Sequence, residues 1–354
     1  MTKSQGAIST REVLAATKKD YGANVGHFGD LVVQSDRIPT GIFPFDLAIG
    51  GGFPRGRLSI IYGQESSNKT NLALKAIASH QALWPKETCI FFDIENSFNG
   101  EWAARLGVQV DKLLVLKPDY AEQAVDMVES FIQAEDCGLV VLDSIAALVT
   151  TLEAESSADK AVVGGNSIVV GKLVRKATLG FNQANKDGRS PSLICINQTR
   201  FKVAVMFGDP ETMPGGNAPI FASQLTIRVY GKNVIDTKVS KVMPMSKNVT
   251  FQVKKWKVPI VAANGTFEMV TYGHEGLLPG DANDWNTVSQ YLKDYGLLVK
   301  KEKGQGWLLD GEEYATLQVL RDRLIEDKPF GMKTRQAIVE LTMGGGVVES
   351  KEAG

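Results

Sequence analysis

Residues 58–83 read LSIIYGQESSNKTNLALKAIASHQAL, and the fold follows from how this stretch divides. Leu58 to Gly63 is a short, continuous apolar run, and the residues from Asn71 onward are amphipathic at helical spacing. A continuous apolar run marks a strand buried on both faces, which is the situation in a parallel sheet. Between strand and helix lie Gly63, Gln64, Glu65, Ser66, Ser67, Asn68, Lys69 and Thr70. A loop in that position surrounds an anion with backbone N–H groups and the N-terminus of the helix. Lys69 supplies charge for phosphates and Thr70 a hydroxyl for magnesium, as in the pattern G-x-x-x-x-G-K-[ST]. That pattern wants glycine where this chain has Asn68. Asparagine tolerates left-handed backbone, so the loop can survive, although its side chain crowds the approach of phosphate.

Further apolar runs follow outward from this stretch: CIFFD (89–93), LLVL (113–116), GLVVLDS (138–144) and SLICINQ (192–198). Helical patterns such as EQAVDMVESFIQAE alternate with them, so the class is α/β, a mostly parallel sheet flanked by helices. Beyond about residue 225, LTIRVYG, VTFQVKKWKV and FEMVTYG read as an antiparallel extension of that sheet. Upstream, Ser9 and Glu12 form a capping box that opens a short helix. The expected division is an N-terminal helical arm (1–34), a core (35–277), a small α+β C-terminal domain (278–345) and a flexible tail (346–354). The small domain should hold a helix near NTVSQYLKDYG, a hairpin at KKEKGQGWLLDG and a helix near YATLQVLRDRLIE.

The chain has 354 residues, 44% apolar and 22% charged, which argues against disorder and low complexity. Its 39 Lys and Arg against 40 Asp and Glu leave a net charge of −1, so any polyanion site must be local. Cys89, Cys137 and Cys195 lie far apart in apolar runs and read as buried thiols of a reducing compartment. With no signal-like N-terminus and no apolar stretch of about 18 residues, a cytoplasmic or nucleoid-associated location without membrane contact is expected.

Two carboxylates end apolar strands, where ligands of open parallel sheets bind. Asp143 is expected to support magnesium from the outer shell. Glu95, in CIFFDIE, is positioned to align and activate a water against a γ-phosphate. Asp93 has no separate task and reads as a helix cap or a strand end.

Taken together, IPTGIFPFDLAIGGGFPRGRLSIIYGQESSNKT, FFDIENSF, LVVLDSIAAL, INQTRFK and VMFGDPETMPGGNA resemble the RecA family of DNA strand-exchange recombinases, in that family's order and near its spacing. The resemblance implies a RecA-like P-loop ATPase core, an arm that docks on a neighbouring subunit, and a helical filament on single-stranded DNA. It implies ATP and Mg2+ as cofactors, with hydrolysis to ADP and phosphate. Lys69 and Thr70 resemble the phosphate and magnesium residues, Glu95 the catalytic carboxylate and Asp143 the second acidic motif. Asn99 and Trp102 match adenine neighbours, with Tyr272 on the other side of the base; the plain alternative for Trp102 is helix packing. Gln198 resembles the residue that senses the γ-phosphate and signals to DNA.

Two segments resemble the family's DNA-binding loops. Glu155 to Gly165 includes Val163 and Gly164 and departs most from the family pattern. Thr199 to Ala218 offers Arg200 and Lys202 for phosphate, Val203 as a wedge, Gly215 and Gly216 for close backbone approach, and Asn217. Phe207 is assigned to subunit packing. Arg175 is a further phosphate candidate, or else a solvated helix position. Lys255 and Lys257 resemble a pair that reaches a neighbour's γ-phosphate across the filament interface, although Lys254 could replace one of them. Asn68 resembles phage members that also lack the glycine, which points to a phage-encoded recombinase whose hydrolysis rate is open. The expected partners are single-stranded DNA, homologous duplex DNA and further copies of the chain, with accessory single-strand-binding or loader proteins possible. The rival readings are a hexameric helicase or motor on the same core and a weakly hydrolysing structural filament that coats DNA.

Overall fold

A computed structural model describes residues 9–21, 36–157, 164–201, 211–235, 244–273, 276–301 and 306–343. Within the arm it describes one helix, α1 (Thr10–Tyr21). Reciprocal capping starts that helix: Ser9 N donates to Glu12 Oε2 at 2.8 Å and Glu12 N to Ser9 Oγ at 3.3 Å.

The short elements β1 (Arg37–Ile38), α2 (Phe43–Ala48) and β2 (Phe53–Pro54) lead into β3 (Leu58–Gly63), which is buried throughout. Then follow α3 (Lys69–Leu83), β4 (Thr88–Asp93), α4 (Gly100–Arg105), β5 (Leu113–Leu116), α5 (Ala121–Gln133) and β6 (Cys137–Asp143). The chain continues through α6 (Thr151–Glu155), α7 (Gly165–Lys186) and β7 (Ser192–Gln198). Two paired strands, β8 (Arg200–Phe201) and β9 (Glu211–Thr212), precede α8 (Ala218–Ala222). The extension comprises β10 (Leu225–Val234), β11 (Ser246–Trp256), β12 (Asn264–Val270) and β13 (Ala282–Asn283).

Among the described residues nine strands form one sheet in the order β13-β12-β11-β10-β3-β7-β6-β4-β5. From β10 to β5 every pairing is parallel, and from β10 to β13 every pairing is antiparallel. The continuous apolar runs are explained by cover on both faces. Ile61, Phe91, Val141 and Ile196 join one apolar cluster with α2 and α3, while Ile90, Val140 and Leu193 join another with α5 and α7. Parallel register pairs Gly63 with Gln198 and Asp93 with Asp143, so four strand ends reach one edge together. That edge carries the site.

A third cluster belongs to α9 (Trp285–Asp294), β14 (Leu298–Lys300), β15 (Trp307–Leu309), β16 (Glu312–Tyr314), α10 (Leu317–Glu326) and α11 (Lys328–Met343). Leu47 of α2 packs into it, which ties this unit to the core. Two features differ from the sequence reading. β13 lies beyond residue 277 yet belongs to the large sheet. α11 adds a helix after the last one expected, and Pro329 is tolerated in its first turn, where its missing N–H has no helical partner to lose. The hairpin turn at 302–305 and the tail at 346–354 lie outside the described residues.

All three cysteines are buried and free, and burial pushes the Cys137 and Cys195 thiols up to about 12. Among the described residues no helix is long and apolar enough to cross a membrane.

Candidate nucleotide and nucleic-acid sites

The phosphate loop has the shape its sequence requires. A Cβ on Gly63 would lie 2.1 Å from Val229 O and 2.9 Å from Ser67 Oγ, so the loop can leave β3 only through glycine. Ser66 and Asn68 have left-handed φ values of 57° and 73°, the backbone that turns successive N–H groups inward. Asn68 thus adopts the conformation for which glycine is usual. Ser67 Oγ donates to Gln64 O at 2.8 Å and Lys69 Nζ to the same carbonyl at 2.6 Å. Burial lowers the pKa of Lys69, while the carboxylates of Asp143, Glu95 and Glu65 raise it. The loop and its neighbours enclose a cavity of about 270 Å3.

The strand-end carboxylates reach this cavity as expected. Thr70 Oγ1 donates to Asp143 Oδ2 at 2.6 Å. Burial pushes Asp143 up to about 6, against the Thr70 hydrogen bond and the Lys69 charge, which favour its ionised form. Gln198 Nε2 donates to Glu95 Oε1 at 3.1 Å, and Ser144 Oγ donates to the same oxygen. Asp93 lies under this group, buried, accepting from Ser97 N at 2.9 Å and Phe98 N at 3.3 Å and pairing with Lys117 at 3.3 Å. Its task is to hold the turn that carries Glu95.

Three contributors escaped the sequence reading. Ser144 directly follows the strand-end Asp143, so its neighbour was the available signal. Lys247, on β11, donates to Ser66 O at 2.6 Å and lines the cavity. A side chain at Gly231 would meet both partners, its Cβ 2.9 Å from Lys247 Cδ and 3.0 Å from Ser66 O. Nothing in local sequence points from a distant antiparallel strand to the loop. Asn71 is the third; its Nδ2 donates to Asn68 Oδ1 at 2.8 Å, a contact readable only from i,i+3 spacing.

The adenine candidates lie apart from the phosphate cavity. Asn99 Oδ1 accepts from Trp102 N at 2.9 Å and so caps α4. Trp102 packs against the apolar cluster beside α3, and its Nε1 donates to Asn71 Oδ1 at 2.9 Å. Tyr272 is exposed. None of the three lines the phosphate cavity.

Lys255 and Lys257 converge on the carbonyl end of α8. Lys255 Nζ donates to Phe221 O at 2.8 Å and Ser223 O at 2.9 Å, and also to Ile220 O; Lys257 Nζ donates to Phe221 O at 3.0 Å. Burial and the neighbouring Lys257 charge lower Lys255 to about 8. Lys254 is set apart by a bulge: Thr226 pairs with Lys255 and Ile227 with Val253, so Lys254 is skipped, and it donates to Gln252 Oε1 at 3.2 Å.

Of the residues expected to bind DNA, Gly164, Arg200, Gly215 and Gly216 line a second cavity of about 480 Å3. Gly215 and Gly216 have φ of 87° and 72°. A Cβ on Gly215 would approach Val170 Cγ1 to 2.9 Å, so this close approach is made inside the protein, against α7. Asn217 flanks α8 and Arg175 is exposed on α7, and neither lines that cavity. Val163, Lys202, Val203 and Phe207 lie outside the described residues.

Comparison with known proteins adds a lineage to this geometry. The chain matches the RecA N-terminal domain over residues 9–276. It is 35% identical to the mitochondrial DNA repair protein recA homolog of Dictyostelium discoideum, covering 83% of this chain and 65% of that protein. It is 35% identical to protein RecA of Bordetella petrii, covering 82% of this chain and 87% of that one. Among solved structures it is similar to a RadB recombinase at 18% identity and a TM-score of 0.47, over 67% of this chain and 97% of the other.

Proposed function

The chain belongs to the RecA family, and from that premise we propose that it is a DNA-dependent ATPase that assembles on single-stranded DNA, pairs it with homologous duplex and exchanges strands. One observation carries the reading. Gln198, hydrogen-bonded to Glu95 at 3.1 Å, is followed directly by the segment from Thr199, and Thr199 N donates to Gly63 O at 3.1 Å. The start of the second loop is therefore bonded to both the phosphate loop and the carboxylate at its edge.

In this mechanism Lys69 and the inward N–H groups neutralise the triphosphate. Thr70 would hold magnesium directly and Asp143 from behind it; a hydroxyl hydrogen-bonded to a carboxylate is an all-oxygen donor set that suits this ion. The ion, when bound, supplies further positive charge at the phosphate oxygens. Among the described residues no three His, Cys, Asp or Glu side chains cluster into a metal site of their own. Glu95 orients a water and accepts its proton as the water oxygen bonds to the γ-phosphorus and the bond to the ADP oxygen breaks. Gln198 then exchanges partners between Glu95 and the γ-phosphate, and this exchange reorders the loop that begins at Thr199.

Arg200 and Lys202 contact the DNA phosphates. Lys255 and Lys257 act on a neighbour's nucleotide once the filament forms, leaving the carbonyls of α8. The arm, the ATPase core and the C-terminal unit serve assembly, hydrolysis and accessory contacts in turn. Measuring phosphate release with and without single-stranded DNA, together with imaging for filaments, tests the reading. Stimulated release with filaments is expected. Filaments without stimulated release would turn it into a structural DNA coat, and translocating rings into a motor.

A further inference from the structure

Position 68 is where this loop departs from its pattern, and the structure ties that residue into a chain of side-chain hydrogen bonds. Trp102 Nε1 donates to Asn71 Oδ1 at 2.9 Å, and Asn71 Nδ2 donates to Asn68 Oδ1 at 2.8 Å. The polarity of this chain is forced. An indole N–H can only donate, so the Asn71 atom facing it must be the oxygen. The other end of Asn71 is then the amide nitrogen, which can only donate, so Asn68 must answer with its own oxygen. That leaves Asn68 Nδ2 as the free end. Among the described residues it is buried without a hydrogen-bond partner, in a residue that lines the phosphate cavity.

A buried amide N–H without an acceptor is costly and rare, and in native structures it calls for a use. Here the surroundings specify the missing acceptor. Ser66 and Asn68 have the left-handed backbone that builds anion-binding concavities, and Lys69 adds a cation to the cavity. Such a loop takes an anionic oxygen. We propose that Asn68 donates through Nδ2 to a phosphate oxygen of the bound nucleotide, and that Asn71 and Trp102 are positioning residues which fix the amide in that orientation. Asn68 is then a substitute ligand in place of the missing glycine, and its side chain does not merely crowd the site. Trp102 serves the phosphates through its N–H, whatever its ring does at the base.

The inference rests on the nucleotide reading, and a double-mutant cycle separates the two. Dissociation constants for ATP with magnesium are measured by calorimetry for the wild-type chain, Trp102→Phe, Asn68→Gly and the double variant. Phenylalanine keeps a ring in the packing but removes the N–H. In the wild-type background Trp102→Phe should weaken ATP about three- to tenfold, the worth of one hydrogen bond, while in the Asn68→Gly background the same change should cost less than about twofold. Equal factors in both backgrounds would overturn the relay and leave Trp102 as a base contact only. Asn68→Asp, which keeps the shape but turns an oxygen towards the phosphates, should weaken ATP by at least about tenfold relative to Asn68→Gly. Unchanged affinity in that variant would also overturn it. Asn71→Ser, checked by thermal melting, stands in for Trp102→Phe should that protein fail to fold. No ATP binding by the wild-type chain would remove the nucleotide reading itself, and the relay with it.

Discussion

The phosphate cavity and the cavity between the two segments proposed to meet DNA both lie where strands of one sheet end, yet they are held to different degrees. In the first, Lys69, Thr70, Glu95 and Gln198 are all held by a hydrogen bond to a neighbour, and the loop leaves β3 where a side chain at Gly63 has no room. In the second, Arg200 is exposed and Gly164 has left-handed backbone with open space around it, while Gly215 alone packs tightly, against Val170. The difference suits the two tasks proposed for them. Transfer of a phosphoryl group rewards groups fixed in advance, whereas a strand of any sequence is met by charge and adaptable backbone. Gln198 is the joint, since it ends β7 in the rigid half and the next residue begins the open one.

The sharpest way to break the contrast is Lys69→Ala. If the phosphate half works by preorganised charge, turnover should fall on the order of 10^3-fold and nucleotide-dependent DNA binding should vanish, with the melting curve still cooperative. Full ATP affinity in that variant would remove the assignment.

A second test concerns what lies under the rigid half. His80 shares α3 with Lys69; it is fully buried, with Glu87 Oε2 at 3.0 Å and Arg55 beside that carboxylate. Burial, helped by the Arg55 charge, lowers its pKa to about 4, although Glu87 acts to raise it. The unfolded imidazole takes up a proton near its ordinary value of about 6.5, whereas the folded one refuses it until about 4. This contribution to stability is therefore complete above pH 6.5 and is lost as pH falls towards 4, by up to about 3 kcal/mol. Urea melts at pH 7.5 and 5 should show the loss in the wild-type chain and a smaller one in His80→Gln. Equal losses in the two proteins would rule out His80 as the cause.

A smaller effect is expected in the open half. Replacing Arg200 and Lys202 by Ala should weaken single-stranded DNA about tenfold, whatever its sequence, and flatten the log–log salt slope by up to about 1.4, at about 0.7 per phosphate. ATP binding without DNA should not change, while DNA-stimulated hydrolysis should drop. An unchanged affinity and slope would move the DNA site elsewhere.

The smallest effect sharpens the joint itself. Asn197 Nδ2 donates to Pro214 O at 2.9 Å while its Oδ1 accepts from the neighbouring Gln198 N at 2.9 Å, so one amide ties the far side of the second segment to β7. Asn197→Ala should cost about 1 kcal/mol of stability and lower DNA affinity a few-fold, leaving ATP affinity alone. An equal loss of ATP affinity would mean that the two halves are not separable there.

Much of this arrangement was legible from sequence because its signals are local. The apolar runs at 58–63, 113–116 and 192–198 match β3, β5 and β7, and Ser9 with Glu12 forms the predicted cap. Asp93 remained ambiguous, since a carboxylate at a strand end reads alike whether it faces a ligand or closes a turn. Trp102 was ambiguous for a similar reason: an aromatic on a short helix gives no sign of whether its ring or its N–H matters.

Sequence alone determined the class of the fold, the phosphate loop and the carboxylates at the strand ends, because strand burial, loop chemistry and helix capping act between residues near one another in the chain. Tertiary structure decided which distant groups meet them. Sheet order laid β10 and β11 against the loop and brought Lys247 to Ser66, and the bulge at Lys254 turned Lys255 and Lys257 onto the end of α8. The packing of α4 on α3 set Trp102 against Asn71 and thereby gave Asn68 its direction. Strand register has a period of two residues, so a shift of one in β11 would send Lys247 and Lys255 to the opposite face, and only the assembled sheet fixes that choice.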